Sequence, residues 1–227
     1  MSLNMSMTAF FHRTSFDFSQ QAKDWILDRY TGRFSKEFYH NLDSTQGPLQ
    51  AQLEWHSSLA GKELMQFLAT YNCDISRFGI SAHISNQATG AMCNPHIDFV
   101  TNRQGIRNLV SSRFNVLVLG NPMDTMHWWP DITDDHPALI DYSRHNNQTG
   151  FKYKTKVVPG DTIQNRIDFL GTAPIIEANV SSPSAFVKTD CVHSINLSPG
   201  PRLLITVAFN KSVDEITAAK TIADVAQ

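Results

Sequence analysis

The chain has 227 residues, of which 41% are hydrophobic, 10% aromatic and 18% charged. That is enough chain to bury a core without disulfides, and too few charges for a disordered segment. Nineteen Lys plus Arg against 21 Asp plus Glu leave a net charge of −2, which argues against a basic nucleic-acid-binding surface and against a long charged tail.

Three cysteines, Cys73, Cys93 and Cys191, lack close spacing. A disulfide framework is not expected, and a cytoplasmic setting is. Met1 to Phe11 lacks a basic start followed by an apolar stretch, so no secretory signal is read there. No apolar run approaches the roughly 20 residues of a membrane helix. Nothing in the sequence sets the oligomeric state.

In chain order, the first third reads as helices and loops. Ser19 is placed to cap a helix that carries Trp25, Ile26 and Leu27 to Tyr30 and ends near Gly32. A second helix is expected from about Ser58 to Asn72, with Leu59, Leu64, Phe67, Leu68 and Tyr71 on its apolar face. From Phe78 to Ser85 the pattern alternates as in a strand. His96–Val100 and Arg113–Leu119 read as further strands, the latter stopped by Gly120-Asn121-Pro122. Residues 121–178 look irregular and read as an insertion. They hold His127, Trp128, Trp129, the acidic run Asp131 to Asp135, and the turn Val158 to Asp161. Strands are expected at Ala185–Lys188, Val192–Asn196 and Arg202–Phe209. Ser212 with Glu215 forms a capping box for a final helix over 213–226.

Helix and strand do not alternate regularly, which argues against a doubly wound sheet. The expected fold class is mainly β with flanking helices, a β-sandwich or jelly roll. The expected organisation is one domain: a helical flank over 1–78, a β core over 79–209 with the insertion, and a C-terminal helix over 210–227.

Phosphate-binding glycine loops, H-E-x-x-H and G-x-S-x-G are absent from the sequence. What remains is His96-Ile97-Asp98, the only H-x-D in the chain. Residues i and i+2 of a strand share a face, and Pro95 biases its neighbour toward extended backbone. Much later come Cys191-Val192-His193-Ser194-Ile195-Asn196 and, nine residues after His193, Arg202 at the start of an apolar strand. Two imidazoles and a carboxylate can hold a metal on one face of an octahedron and leave positions open. Arg202, with its planar fork, suits a carboxylate.

In this order the residues resemble the Fe(II)- and 2-oxoglutarate-dependent oxygenase superfamily. His193…Asn196…Arg202 is similar to a segment of its aspartyl/asparaginyl β-hydroxylase and proline hydroxylase branch. Arg113-Phe114-Asn115 is similar to that branch's R-x-H strand, with Asn115 in place of the family histidine. The resemblance covers about residues 79–209. It implies a double-stranded β-helix, with Fe(II) on His96, Asp98 and His193, 2-oxoglutarate paired to Arg202, and Arg113 and Asn115 as further cosubstrate contacts. It also implies dioxygen as a reactant and hydroxylation of an amino-acid or peptidyl side chain. Small-molecule or peptidyl substrates are then the expected partners, without nucleic acid or membrane.

Three other readings stay open on the residues themselves. One is a cupin-like metalloenzyme of other chemistry, such as an isomerase or a cosubstrate-free dioxygenase, that has no use for Arg202. Another is a non-catalytic β-sandwich in which the ligand pattern is coincidental. Locally, Trp128 and Trp129 pack under the insertion or form a lid over a site.

Overall fold

The computed structural model describes residues 7–30, 38–43, 49–71, 79–87, 91–92, 95–101, 107–132, 136, 139–143, 149–153, 162–179 and 183–225. Cys73, Cys93 and the turn Val158 to Asp161, all singled out in the sequence, lie outside them.

The chain opens with strand β1 (Phe11–Thr14) and helix α1 (Gln20–Tyr30). Strand β2 (Phe38–Asp43) and helices α2 (Leu49–Ser57) and α3 (Leu59–Ala69) follow. Ser58 caps α3, its hydroxyl accepting from the Gly61 amide at 3.0 Å. Strands β3 (Ile80–Gln87), β4 (Ala91–Met92), β5 (Phe99–Thr101), β6 (Arg107–Leu109), β7 (Ser112–Leu119) and β8 (Thr125–Trp129) come next. The hairpin β9 (Leu139–Ser143) and β10 (Thr149–Tyr153) precedes helix α4 (Ile163–Leu170). Strands β11 (Ile176–Asn179), β12 (Ser184–Lys188), β13 (Val192–Leu197) and β14 (Gly200–Phe209) then lead to helix α5 (Val213–Val225). At the start of α5, Ser212 and Glu215 exchange the hydrogen bonds of a capping box.

Two antiparallel sheets dominate. The larger has the order β1-β12-β7-β14-β3-β2 and the smaller β11-β8-β13-β4. Consecutive strands cross between them: β3 to β4, β7 to β8, β11 to β12 and β13 to β14. An apolar cluster joins the two, with Ala185 and Val187 of β12 among Met126, Trp128, Ile176, Ala178 and Cys191. The fold is therefore mainly antiparallel β with a few helices.

Alternation along the strands divides the larger sheet into two faces. Ile80, Ala82, Phe114, Val116, Ile205 and Val207 point to the helices and pack with Ile26, Trp55, Leu64 and Leu68 in the largest apolar cluster. The intervening residues face the smaller sheet. They include Ser81 and His83 on β3, Arg113 and Asn115 on β7, and Arg202 and Thr206 on β14.

Two sequence expectations differ from this structure. The flank over 1–78 is not only helical, because β1 and β2 form the two edges of the larger sheet. They are too short for an alternating pattern to stand out, and their pairing comes from distant strands. Residues 121–178 are not one irregular insertion either. β8 and β11 lie side by side in the smaller sheet, and α4 covers its outer face through Leu170 packed with Trp129 and Val192. No helix among the described residues is long and apolar enough to cross a membrane.

Candidate metal centre

His96 and His193 lie opposite each other and exchange two backbone hydrogen bonds of 2.9 and 3.0 Å. Such a pair puts both side chains on one face. Their rings stand 4.4 Å apart, tilted by 53°. Ile97, between His96 and Asp98, points the other way into the cluster with Trp129 and Val192. The H-x-D spacing thus works as a strand predicts: the ligand types share one face, and the residue between them anchors the segment. Asp98 is braced through its backbone, donating to the Thr189 carbonyl and accepting from the Val110 amide, each at 3.0 Å. Thr189 in turn donates its hydroxyl to the Val110 carbonyl at 2.8 Å.

One ligand atom each from His96, Asp98 and His193 lie within 4.8 Å of one another. His193 Nδ1 is 2.9 Å from the Cys191 carbonyl oxygen. A carbonyl only accepts, so Nδ1 carries the proton and Nε2 keeps its lone pair for a metal. Asp98 Oδ2 takes the Arg113 Nε–H at 2.5 Å, while Oδ1 faces His96 Nε2 at 3.4 Å. Arg113 therefore orients the carboxylate and offsets its charge.

The electrostatics suit a cation. Burial opposes ionisation of Asp98, but Arg113, the hydrogen bond from His96 and the two imidazoles together hold its carboxyl well below the usual range. Burial, reinforced by neighbouring His96, pushes His193 down to about 3, so its imidazole is neutral. A neutral imidazole and an ionised carboxylate are the forms that bind metal. The donor set fits a divalent first-row ion, Fe(II) among them, better than the all-oxygen preference of calcium.

The other expected site residues are placed differently. Arg202 does not join the triad. It begins the length of β14 whose far end, at Ala208, pairs with Arg113, about 20 Å away at the rise of a strand. Its Nε lies 3.3 Å from Asp124 Oδ2, and the residues are 6% and 3% exposed. The other Asp124 oxygen accepts from the Ser198 amide at 2.8 Å. Gly120, at φ +139°, gives Arg202 its room, since a Cβ there would sit 3.1 Å from Arg202 Cγ. Asn115 does face the smaller sheet, and its Oδ1 is buried without a hydrogen-bond partner among the described residues.

Trp128 and Trp129 are buried on opposite faces of β8, and each is hydrogen-bonded through its indole N–H, to the Lys188 and Thr172 carbonyls. They are core residues and not a lid. Cys191 contributes its carbonyl to His193, while burial pushes its thiol up to about 12. His127, on the outer face of β8, pairs with Glu177 at 3.2 Å. Sequence reasoning missed Asp124, Thr189 and Thr206; only the strand pairing reveals them. A groove of about 460 Å³ along Phe16, Glu63 and Phe67 lies on the helical side and includes no member of the triad.

No protein-family model and no curated protein matches the chain. Among solved structures it is similar to the L-ribose isomerase of Geodermatophilus obscurus, at 12% identity and a TM-score of 0.28, over 64% of this chain and 53% of that one. It is also similar to the Acinetobacter sp. DL28 L-ribose isomerase in complex with L-ribose, at 11% identity and a TM-score of 0.31, over 76% and 57%. The Cellulomonas parahominis L-ribose isomerase with L-psicose is matched at 12% identity and a TM-score of 0.31, over 86% of each chain. The chain thus spans a little over half the length of the first two.

These structures are isomerases and not 2-oxoglutarate oxygenases, and the identification with the oxygenase superfamily is corrected accordingly. The physical reason sits at Arg202. A guanidinium already neutralised by a buried carboxylate, at the far end of β14 from Arg113, is not a free receptor for a cosubstrate. With that reading go 2-oxoglutarate and dioxygen as expected reactants, and side-chain hydroxylation as the expected reaction.

Proposed function

We propose that the chain is a cupin-like metalloenzyme that does not use 2-oxoglutarate. The observation that carries this reading is the convergence of His96, Asp98 and His193 to within 4.8 Å, with His193 Nδ1 tied back to a carbonyl. The crossing of successive strands between two sheets supports a double-stranded β-helix as the scaffold. His96, Asp98 and His193 would hold a divalent ion, which would supply Lewis acidity toward an oxygen of a small substrate. The two imidazoles would bind it through ring nitrogens and Asp98 through its carboxylate, while Arg113 fixes the orientation of Asp98. Trp128, paired directly with His193 across β8 and β13, packs on the same face as the triad and would limit access of water. An aldose–ketose interconversion needs no cosubstrate and is the first reaction to assay, with L-ribose, the sugar bound by the Acinetobacter enzyme, in the panel.

The test is metal analysis of the purified protein after loading with Fe(II), Mn(II), Co(II) or Zn(II). One ion per chain is expected, lost in His96→Ala and in His193→Ala. Equal metal content in wild type and both variants would sink the triad. A loaded protein without turnover on any carbonyl or polyol substrate would favour a metal-binding module over an enzyme.

A further inference from the structure

Beside the triad, the inner face of the larger sheet carries a polar rung. Thr206 of β14 pairs directly with Asn115 of β7 on one side and with Ser81 of β3 on the other. On the same strands, one residue away, are Phe114, Val116, Ile205 and Val207, all fully buried against the helices. Apolar residues would be expected at the rung too if its role were to close the sandwich. Instead Thr206 Oγ1 and Asn115 Oδ1 are buried, and neither has a hydrogen-bond partner among the described residues, although Thr206 is only 3% exposed. A buried polar atom left unpaired is costly, and two side by side need an explanation.

Their position supplies one. Asn115 lies two residues from Arg113, about 7 Å along the strand, and Arg113 Nε holds Asp98. A molecule with one oxygen at the triad and a chain of four to six heavy atoms spans that separation. The charges near this path are already matched: Arg113 faces Asp98, and Arg202 faces Asp124. The rung itself is neutral. The amide oxygen of Asn115 calls for a donor, and the Thr206 hydroxyl can donate or accept, so ligand hydroxyl groups satisfy both.

We propose that Asn115 and Thr206 form a substrate subsite for a neutral, hydroxyl-bearing small molecule, whose hydroxyl groups satisfy Asn115 Oδ1 and Thr206 Oγ1. This rests on the metalloenzyme reading above and narrows its substrate to an uncharged polyol-like class. Two consequences follow. Removing the Thr206 hydroxyl without changing its shape relieves the unliganded protein of an unpaired polar atom. The same change deprives the ligand of a partner.

The experiment compares wild type, Thr206→Val and Thr206→Ser, each loaded with Co(II), with sorbitol and succinate as probes. Co(II) content is read first by metal analysis; a wild type that retains none overturns the metal reading, while the stability measurement still tests the subsite. Thr206→Val should melt about 2–4 °C higher than wild type without ligand, keep its Co(II), and bind sorbitol about two- to tenfold more weakly. Thr206→Ser should restore sorbitol binding. A Thr206→Val protein that melts lower than wild type would show that the hydroxyl serves the fold, and would overturn the proposal. So would unchanged sorbitol affinity, which is the result for a merely hydrated cavity, or tighter binding of succinate than of sorbitol.

Discussion

On the helical side of the larger sheet, Phe114, Val116, Ile205 and Val207 are fully buried in an apolar cluster with α1, α2 and α3. On the side turned to the smaller sheet, the residues that alternate with them are Arg113, Asn115 and Leu117 on β7 and Leu204, Thr206 and Ala208 on β14. The backbone is the same and the register is the same; only the parity differs. One face carries the stability of the sheet, through area removed from water. The other gives up part of that gain to hold charges and hydrogen-bonding groups beside the triad. Part of the inner face, where Ala185 and Val187 of β12 meet Met126 and Trp128, is closed in the ordinary apolar way. The polar positions, Arg113 and Asn115 on β7, Thr206 on β14 and Ser81 and His83 on β3, are grouped on adjoining strands, and this grouping separates a site from a loosely packed core.

The comparison is broken most severely by substitutions that strip one partner from each face. Phe114→Ala removes a ring packed on Phe16, Phe67 and Phe186. It should cost about 3–5 kcal/mol of unfolding free energy in urea, with metal content per folded chain unchanged. Arg202→Ala should cost a similar amount, about 3–5 kcal/mol, because buried Asp124 loses its cationic partner. The double substitution Arg202→Leu with Asp124→Leu should cost less than Arg202→Ala alone. If Arg202→Ala were neutral for stability yet reduced ligand binding, the guanidinium would belong to the site after all.

Arg202 also shows where reading from sequence ends. An arginine at the head of an apolar strand looks the same whether its partner is a bound carboxylate or an aspartate in a distant turn. Asp124 follows Gly120-Asn121-Pro122, a segment legible as a turn, but that the turn sits over β14 depends on the crossing of β7 into β8. The shared face of His96 and Asp98 is readable because it needs only a period of two: the pair flanks Ile97, and Ile97 is the buried one. The strands rich in Val, Ile, Leu and Phe, β7 and β14 above all, were readable for the same reason. β1 and β2 were not, since four and six residues at a sheet edge leave too little pattern. Nor was the Asn115–Thr206 rung, since each residue alone is an ordinary strand residue and only the pairing joins them.

A smaller effect is expected at Arg113, which touches the triad without belonging to it. Arg113→Leu keeps bulk on β7 but releases Asp98 Oδ2. Divalent-metal affinity should fall by about 10–100-fold, the usual consequence of losing a residue that orients a ligand, and Arg113→Lys should recover part of it. Competition with a chromophoric chelator measures the change. An affinity unaltered in Arg113→Leu would mean that the Thr189 and Val110 backbone contacts alone hold Asp98 in place.

The smallest effect tests a control position outside both faces of the comparison. His127 is buried on the outer side of β8, with Glu177 as its partner. Burial lowers its pKa below the ordinary value of 6.5, and the attraction of Glu177 offsets only part of this. A histidine lowered in the folded state takes up its proton more readily when the chain unfolds. Above about pH 6.5 neither state is protonated and the group makes no difference. As the pH falls below that value the unfolded chain gains the proton first, so stability declines. His127→Gln should therefore flatten the decline in melting temperature between about pH 6.5 and 5. It should leave metal affinity at pH 7.5 unaltered, because the His127 side chain points away from the face that carries His193. A change in metal affinity would show that the two sides of the smaller sheet are not independent. The separation of stability from site chemistry would then belong to the larger sheet alone.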